Sequence, residues 1–381
     1  MKKILYNKTL FIIATVIVLA SLILSTLEYI DLGLLIIPMV LPYLIWLFIL
    51  MRLVKKINET PLAQIKGRIM KRFIFLSLLI LNFSYGQTNN VKITILSTMV
   101  ADYDYLGEWG FAALVESDGN KILFDTGFRE NTVLENAASL NIDLSMVEHV
   151  LLSHNHSDHT GGLKTLRKKL MILNPNAMKY VHVGKGIFMD RWSNKINRNS
   201  FKTYKEELEN LGIEFIYHEK PEEIFPNVWT TGIVPRNHNE KNWSGYREMV
   251  IDGKKIEDNI PEDQSLIINT KKGLVLVSGC GHAGIVNTLE YASKLFGNTS
   301  DIYTALGGFH LFNKNDNDID WTAKYMRKYK VKYFLGAHCT GIDAVYSIRE
   351  KNKMNRSDCA VAAVGSYFDY EKGMYAGKIT N

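Results

Sequence analysis

Residues 153–162 (SHNHSDHTGG) constrain the fold of this chain more than any other part of its sequence. The segment follows an apolar run that predicts a buried strand, and it holds four metal-ligand side chains: His154, His156, Asp158 and His159. His154 and His156 alternate in an extended segment, so both imidazoles face one side and can share a metal. Asp158 and His159 fall where a turn begins and can face a second metal. The spacing therefore predicts a metal centre rather than a solvated turn.

Two later strands are also predicted to end on potential ligands. The strand at 274–278 runs into Gly-Cys-Gly-His at 279–282, and the strand at 331–335 runs into Gly-Ala-His at 336–338. Strands that end on ligand-type residues thus recur along the chain, which favours one site assembled from several strand ends.

Glycine pairs and polar runs near these strands predict turns and loops. Gly161 and Gly162 predict a tight turn into a helix that begins at Leu163, because glycine tolerates the backbone angles of such turns. Residues 313–320 (NKNDNDID) predict a polar loop before a helix at 321–329.

The order His-x-His-x-Asp-His resembles the signature of the metallo-beta-lactamase superfamily, and the resemblance extends over essentially all of residues 91–381. It implies an α+β fold, a four-layer αββα sandwich with the metals at one edge of two sheets. Asp125, in Phe-Asp-Thr-Gly, matches the first motif of the family, an acid that orients a ligand histidine. His338 matches the last motif histidine.

Five further motifs resemble one branch of the superfamily, the dihydropterin–aminobenzene ribofuranosyl phosphate synthase-like group. They are TGIVPR at 231–236, DQSL at 263–266, GCGHAGI at 279–285, GGFHL at 307–311 and HCTG at 338–341. In the reaction of that branch, the metals help to displace pyrophosphate from a pterin methyl carbon.

The third motif of the superfamily is missing, because Gly-Ile-Val-Pro-Arg at 232–236 stands where a Gly-His turn is expected. His282 is therefore assigned as the third ligand of the first metal. The resemblance then implies one metal held by His154, His156 and His282, and another held by Asp158, His159 and His338. Cys280 stands at the bridging position of the family; we interpret it as a small buried residue, with thiolate ligation as the alternative.

Pocket residues are predicted with less support from any motif. Asp158 and His310 are the catalytic candidates, His310 for proton transfer or substrate contact. Arg236 is a candidate contact for an anionic substrate group, with an ordinary salt bridge as the alternative. His182 either lines the same edge or is a structural histidine. The ligand set favours two zinc ions, with manganese, iron or magnesium as alternatives.

Two metals about 3.5–4 Å apart can share a water and lower its pKa to about 7, so that hydroxide attacks a carbonyl or phosphoryl centre. The sequence therefore predicts a metal-dependent hydrolase of a small, anionic phosphorylated, ester or lactone substrate. The alternatives are a dihydropterin-condensing transferase of the same branch and a non-catalytic metal-binding sensor domain.

The first 69 residues predict a membrane hairpin. Residues 9–27 and 32–51 are two uncharged apolar runs, each long enough to cross a hydrocarbon core as a helix. Residues 1–90 hold ten Lys/Arg against three Asp/Glu, whereas residues 91–381 hold 35 against 36. The basic balance thus belongs to the membrane segment, where it predicts cytoplasmic ends, and net charge gives no support to nucleic-acid binding.

Residues 70–90 resemble a secretory signal peptide or form a third membrane segment. Lys71 and Arg72 precede an apolar stretch of 14 residues, and Ser84 and Gly86 suit the cleavage positions. Either Met1 or Met70 is the true start. In both cases the domain at 91–381 is expected outside the cytoplasmic membrane, anchored or exported. The three cysteines exclude a disulfide scaffold.

Overall fold

The computed structural model describes residues 87–88, 90–243, 247–251, 253–297 and 301–380. The predicted membrane hairpin at 1–69 and nearly all of the segment at 70–90 lie outside these residues. Within the described ranges, no helix is both long enough and apolar enough to span a bilayer.

The described strands are numbered in chain order. They are β1 (Val91–Ser97), β2 (Ala112–Ser117), β3 (Asn120–Phe124), β4 (His149–Leu152), β5 (Tyr180–Gly184), β6 (Arg191–Ser193), β7 (Ile196–Asn197), β8 (Glu214–His218), β9 (Glu222–Phe225), β10 (Val228–Thr230), β11 (Glu248–Ile251), β12 (Lys254–Glu257), β13 (Leu266–Thr270), β14 (Gly273–Ser278), β15 (Ile302–Gly307), β16 (Tyr333–Gly336), β17 (Cys359–Val361), β18 (Tyr367–Asp369) and β19 (Gly373–Tyr375).

The described helices are numbered in the same way. They are α1 (Thr132–Ser139), α2 (Ser157–Thr160), α3 (Leu163–Leu170), α4 (Ser200–Thr203), α5 (Lys205–Asn210), α6 (Ile285–Leu295), α7 (Asp316–Lys328) and α8 (Ile342–Lys351), with a 3₁₀ turn at His338–Thr340.

Two large sheets form the body of the domain. The first has the strand order β19-β18-β1-β2-β3-β4-β5-β8, and the second has the order β17-β16-β15-β14-β13-β10-β9. Strands β3, β4, β5 and β8 run parallel, as do β14, β15, β16 and β17. Parallel neighbours bring their carboxyl ends to the same sheet edge, so the loops that follow them meet there. A small third sheet has the order β12-β11-β6-β7.

Three apolar layers hold the sheets and helices together. The alternate side chains of β1, β3 and β14, such as Ile93, Ile122 and Val275, fill the space between the two large sheets. Helices α1, α3 and α5 cover the other face of the first sheet, and α6, α7 and α8 cover that of the second. The predicted α+β fold with four αββα layers is confirmed.

The polar segment at 313–320 is not a loop throughout, and that prediction is wrong at its second half. Helix α7 begins at Asp316, because the side chain of Asn315 accepts a hydrogen bond from the Asp318 amide at 3.0 Å and caps the first turn. Asp316 and Asp318 also place negative charge at the positive end of the helix dipole.

The glycine pair before α3 serves a different purpose from the predicted one. The helix does begin at Leu163, but Gly161 and Gly162 have φ of −64° and −81°, angles that any residue adopts. A Cβ on Gly161 would lie 1.9 Å from the carbonyl oxygen of Phe128, and one on Gly162 would lie 2.3 Å from that of Thr126. Glycine is needed here for close backbone contact with the loop after β3.

Candidate metal centre

The ligand-type residues meet at the carboxyl ends of β4, β14 and β16. His154 and His156 follow β4, and Asp158 and His159 lie on the short helix α2. Their donor atoms lie near residues of the other two strand ends, which are Cys280, His282 and His338. The structure thus brings together three segments that are far apart along the chain.

The first donor group consists of His154, Cys280 and His282, whose ligand atoms lie within 4.8 Å of one another. The Nε2 atoms of His154 and His282 are 3.2 Å apart. The Nδ1–H of His282 donates to the carbonyl oxygen of Asn242 at 2.5 Å, so its hydrogen lies on the side away from His154. The ring of His156 flanks this group, with its centroid 4.5 Å from that of His154.

The buried carboxylate of Asp125 fixes the orientation of the imidazole rings of His159 and His154. Asp125 accepts from the Nδ1–H of His159 at 2.7 Å and from the hydroxyl of Ser153 at 2.8 Å. The hydroxyl oxygen of Ser153 is then free to accept from the Nδ1–H of His154, which lies at 2.8 Å. Asp125 therefore orients one ligand ring directly and another through Ser153, and it leaves Nε2 of both rings turned to the site.

The second donor group consists of Asp158, His159, Cys280 and His338. Oδ2 of Asp158 lies 3.2 Å from Nε2 of His338 and 3.7 Å from Nε2 of His159. Nε2 of His159 lies 3.1 Å from Sγ of Cys280. Carboxylate, imidazole and thiol atoms thus converge on one buried point, a donor set suited to a divalent metal.

These contacts fit bound cations. Nε2 of His154 and Nε2 of His282 face each other with lone pairs, and such a contact is repulsive unless a cation lies between the two nitrogens. Nδ1 of His338 is buried without a hydrogen-bond partner among the described residues, and its Nε2 faces the carboxylate of Asp158. A buried polar atom without a partner is costly, so Nδ1 of His338 is further evidence that these residues fit a bound metal.

The electrostatics of the site also favour positive charge. Burial lowers the pKa of His159, but the carboxylates of Asp125 and Asp158 outweigh it and raise the pKa to about 9. Burial raises the pKa of Asp158, yet His159 and His338 hold it well below its usual range. Burial lowers the pKa of His282 well below its usual value, which keeps the imidazole neutral, the form that binds metal.

Cys280 lies between the two donor groups, and its position favours the alternative of thiolate ligation. Its Sγ belongs to both groups, so Cys280 is buried as predicted and is also within reach of the other donor atoms. Sγ of Cys339 lies 3.3 Å from Sγ of Cys280, and the two thiols are fully buried. Burial raises the pKa of the Cys280 thiol well above its usual value, and ligation of a metal is what would lower it.

Three residues of the site adopt a strained backbone conformation. Asp125, His310 and His338 have φ of 56°, 50° and 46°, in the left-handed region that residues other than glycine rarely adopt. Such conformations persist only where the surrounding structure holds them, and they cluster at functional sites.

A cavity of about 180 Å³ opens beside the donor groups. It is lined by His156, Trp243, Arg247, Asp258, Ile260, His282 and His310. His310 therefore lies where it was predicted, next to the metal centre, with its ring centroid 4.9 Å from that of His282. Its Nδ1 is buried and makes no hydrogen bond to a described residue.

Two predicted pocket residues, Arg236 and His182, do not line the cavity. Arg236 donates from Nη1 to the carbonyl oxygen of His282 at 2.8 Å and from Nη2 to those of Asn259 and Ile260, so its fork holds backbone rather than an anionic substrate. His182 lies between two imidazoles, His149 at 3.0 Å and His218 at 2.9 Å, and does not line the cavity. These contacts favour a structural role for both residues.

One positively charged side chain of the cavity, that of Arg247, was not predicted from the sequence. Arg247 lies beside the metal centre with Nη1 3.3 Å from Nε2 of His156, and no motif surrounds it that would have identified it. Cys339 was also missed as a neighbour of the site, although it follows His338 within the HCTG motif and could have been found there.

Comparisons with known proteins agree with this architecture. A sequence profile of the Metallo-beta-lactamase superfamily matches residues 110–288. The 7,8-dihydropterin-6-methyl-4-(beta-D-ribofuranosyl)-aminobenzene-5'-phosphate synthase of Methanocaldococcus jannaschii is 33% identical over 283 residues, which cover 70% of this chain and 94% of that protein. An uncharacterized protein of the same organism is 32% identical over 261 residues, which cover 68% of this chain and 94% of that protein.

Among solved structures, Tm1679 is described as a metal-dependent hydrolase of the beta-lactamase superfamily. It is 26% identical, has a TM-score of 0.60, and the match covers 73% of this chain and 98% of that one. Together with the donor groups at the strand ends, these similarities show that the chain belongs to the metallo-beta-lactamase superfamily.

Proposed function

We propose that this protein is a metal-dependent hydrolase of a small anionic substrate, a phosphorylated, ester or lactone compound. The observation that carries the proposal is the pair of donor groups that share Cys280 and adjoin a cavity. Each group offers imidazole nitrogens whose hydrogens are held elsewhere, and the second adds the carboxylate of Asp158. Zinc suits this mixed nitrogen, sulfur and oxygen set best.

His154, His156 and His282 would hold one metal, and Asp158, His159 and His338 the other, with Cys280 within reach of both. When bound, two such ions lower the pKa of a water and neutralise negative charge that develops on the substrate. Asp125 keeps the rings of His154 and His159 in the ligating tautomer. His310, on the cavity wall, can give or take a proton at Nδ1, which makes it the candidate acid for the leaving group.

A second candidate function is the condensing transferase, and one observation favours it. The relative that is 33% identical is named as a synthase of a dihydropterin-linked aminobenzene ribofuranosyl phosphate. The same donor groups would then assist displacement of a phosphorylated leaving group by an aromatic carbon or amine instead of by water. Fold alone does not decide between the two reactions.

The test is turnover by the purified full-length protein after chelation and reloading with Zn²⁺ or Mn²⁺. We expect hydrolysis of at least one class among aryl phosphomonoesters, phosphodiesters and lactones, lost with the chelator and restored by metal. Pyrophosphate release from a pyrophosphate-activated dihydropterin without hydrolysis of any of these would favour the transferase. Absence of both reactions in protein that binds two metals would contradict an enzymatic role.

A matched control separates the site from general damage. His238 contacts Glu290 and packs on the rings of Trp321 and Tyr325, outside the donor groups. His238→Ala should keep the metal-dependent turnover, whereas His338→Ala should abolish it.

A further inference from the structure

Two cysteines lie in contact beside the metal centre, although the strands that they follow are not neighbours. Cys280 follows β14 and Cys339 follows β16, and β15 lies between these two strands in the sheet. The two Sγ atoms are nevertheless 3.3 Å apart, and both side chains are buried. The fold therefore brings together two thiols that are 59 residues apart in the sequence.

Glycines at the end of the intervening strand allow this contact. Gly307 is the last residue of β15, and a Cβ on it would lie 1.9 Å from the carbonyl oxygen of Ser278. A Cβ on Gly308 would lie 2.0 Å from the carbonyl oxygen of Gly279 and 3.0 Å from Sγ of Cys339. Side chains at these positions would push the ends of β14 and β16 apart, so the Gly-Gly pair leaves the space in which the sulfurs meet.

The sulfurs are close enough to form a bond after a small shift. A disulfide bond is about 2.0 Å long, so two Sγ atoms that are 3.3 Å apart must approach by about 1.3 Å. Cys280 lies between Gly279 and Gly281, and Gly281 has a φ of 60°. Because glycine adopts a wide range of backbone angles, the segment around Cys280 can accommodate a shift of this size.

The cavity of the metal centre gives a small oxidant a path to the sulfurs. His310 lines this cavity, and one of its ring nitrogens lies within 4.8 Å of Sγ of both Cys280 and Cys339. The cavity volume of about 180 Å³ is several times the roughly 30 Å³ that a water molecule takes up in the liquid. Hydrogen peroxide, which has two heavy atoms, therefore fits inside.

Cys280 cannot serve a metal and a second sulfur at the same time. Its Sγ belongs to both donor groups of the metal centre, whereas Sγ of Cys339 belongs to neither. A thiolate that binds a metal shares its lone pair and is a weaker nucleophile, and a disulfide sulfur has lost the negative charge with which a thiolate binds metal. Metal and disulfide therefore compete for this one sulfur.

We propose that Cys280 and Cys339 are a modification site, at which a peroxide forms a disulfide before metal is bound, and that this bond weakens the binding of zinc. One sulfur attacks a peroxide oxygen, the O–O bond breaks, and a sulfenic acid and water form. The other sulfur then attacks the sulfenic sulfur, the S–O bond breaks, and a second water leaves. The two sulfurs lose two electrons to the peroxide, and both thiol protons end in water.

The inference rests on the proposed function only for the presence of metal at Cys280. It fits the location that the sequence predicts, because a domain outside the cytoplasmic membrane is not kept reduced by the thiols of the cytosol. Zinc that is bound in time would protect the thiols, and a reductant would restore a site that has been oxidised.

The experiment treats the full-length protein with hydrogen peroxide, with and without Zn²⁺, after chelation and removal of the chelator. Peptide mass spectrometry should find the peptides of Cys280 and Cys339 linked, with the loss of two hydrogens. The zinc-loaded protein should form this link at least about tenfold more slowly. Zinc affinity, measured by chelator competition, should fall about tenfold or more on oxidation and recover after a phosphine reductant has been added and removed.

Two variants serve as controls. Cys339→Ala should bind zinc as the reduced wild type does and give no linked peptides. Cys359→Ala is the matched control, because Cys359 is equally buried but lies on β17, where its Sγ contacts the carbonyl oxygen of Val345 at 3.6 Å. It should form the link between the other two cysteines as the wild type does.

Three results would overturn the inference. The first is the absence of linked peptides in the oxidised, metal-free wild type, a result that does not depend on the folding of any variant. The second is equal zinc affinity of the oxidised and reduced forms. The third is a tenfold loss of zinc affinity in reduced Cys339→Ala, which would make Cys339 a metal ligand.

The outcome is separable from the proposed function, because the link and the zinc affinity are measured without turnover. A disulfide that weakens zinc binding in a protein without hydrolase activity would support the modification site and contradict the hydrolase. Metal-dependent hydrolysis by a protein whose two sulfurs never become linked would do the reverse.

Discussion

At the scale of single residues, hydrogen bonds to Nδ1 decide which ring nitrogen each ligand histidine offers. The carbonyl oxygen of Asn242 fixes His282, and Asp125 fixes His159 directly and His154 through Ser153. These partners hold the rings in place before a metal arrives, which lowers the entropy lost on binding it. The charge of the site, by contrast, comes chiefly from the carboxylates, and one of them is a predicted ligand.

Asp158→Asn tests that carboxylate, because the change keeps the shape and removes the charge. Asp158 lies 3.2 Å from His338 and 3.7 Å from His159, so we expect the second site to weaken more than the first. The expected result is about one metal per chain and a loss of turnover of several orders of magnitude. Metal analysis and kinetics check it, and two metals with near-normal turnover would show that Asp158 is not a ligand.

His282→Ala and His238→Ala test the replacement of the missing motif histidine. His282 faces His154 at 3.2 Å, whereas His238 contacts Glu290. We expect His282→Ala to lower metal stoichiometry and activity strongly and His238→Ala to do little, as measured by metal analysis and turnover. The reverse order would show that the alignment of the third motif is wrong. Partial retention of metal in His282→Ala is compatible with either assignment, since an open site with fewer ligands still binds weakly.

At the scale of elements, the edges of the two large sheets are joined by a chain of imidazoles. His149 on β4, His182 on β5 and His218 on β8 are linked at 3.0 and 2.9 Å, and His218 reaches Glu222 on β9 of the second sheet at 2.9 Å. With Glu222 ionised, each ring donates from Nδ1, and Nε2 of His182 and of His218 accepts, so these two rings are neutral. Tyr180 stacks on His149, and Phe225 packs against its edge.

These three linked imidazoles predict that the free energy of unfolding falls in acid. Burial lowers the pKa of His149 and His218 and lowers that of His182 to about 3, against the partly opposing charges of Glu148 and Glu222. The unfolded chain therefore binds more protons below pH ~6.5, and the free energy of unfolding should fall by up to about 1.4 kcal/mol per pH unit for each such group as the pH drops from there.

His182→Leu removes the central member of this chain. It should unfold more easily at pH 7.5, where two hydrogen bonds are lost, but show a smaller pH slope between about pH 6.5 and 4. Chemical denaturation in the presence of a chelator measures this without a contribution from metal loss. Val183→Ala, on the opposite face of the same strand, is the control, because a cavity in that core should lower stability by a similar amount at every pH. Equal slopes in His182→Leu and the wild type would contradict the prediction.

At the scale of the whole molecule, the described domain is a superfamily sandwich whose site lies at one edge of two sheets. The sequence of the N-terminal segment predicts that residues 87–381 lie outside the cytoplasmic membrane. It depends on the apolar runs at 9–27 and 32–51 and on the Lys/Arg that flank them. An extracytoplasmic domain would also favour the hydrolase over a transferase of cytoplasmic intermediates.

Reporter fusions after residue 90 test this location. Alkaline phosphatase is active only outside the cytoplasm, so a fusion of the full N-terminal segment should be active, and a fluorescent protein at the same position should be dark. Removal of residues 1–69 separates the two start sites, because a signal peptide that begins at Met70 should still export the reporter. Cytoplasmic fluorescence without phosphatase activity would overturn the topology.

The sequence by itself determined the fold class and the contiguous part of the site. His154, His156, Asp158 and His159 lie on one short segment, so the geometry of a strand and the turn after it is enough to bring them to one edge. The strands predicted at 274–278 and 331–335 correspond to β14 and β16, because the apolar pattern of a strand is also local. The capping of α7 and the close packing at Gly161 did not follow, because each depends on an atom of a neighbouring segment or turn.

Only the tertiary structure decided the rest of the site. His159 and Cys280 are 121 residues apart in the chain, and His156 and Arg247 are 91 apart, yet their atoms lie 3.1 and 3.3 Å apart in space. Which of several arginines, histidines and cysteines meet at a sheet edge is set by strand order and by the path of the connecting loops. Strand order follows from burial of the apolar layers, so the identity of a polar residue does not predict which other residues it will meet.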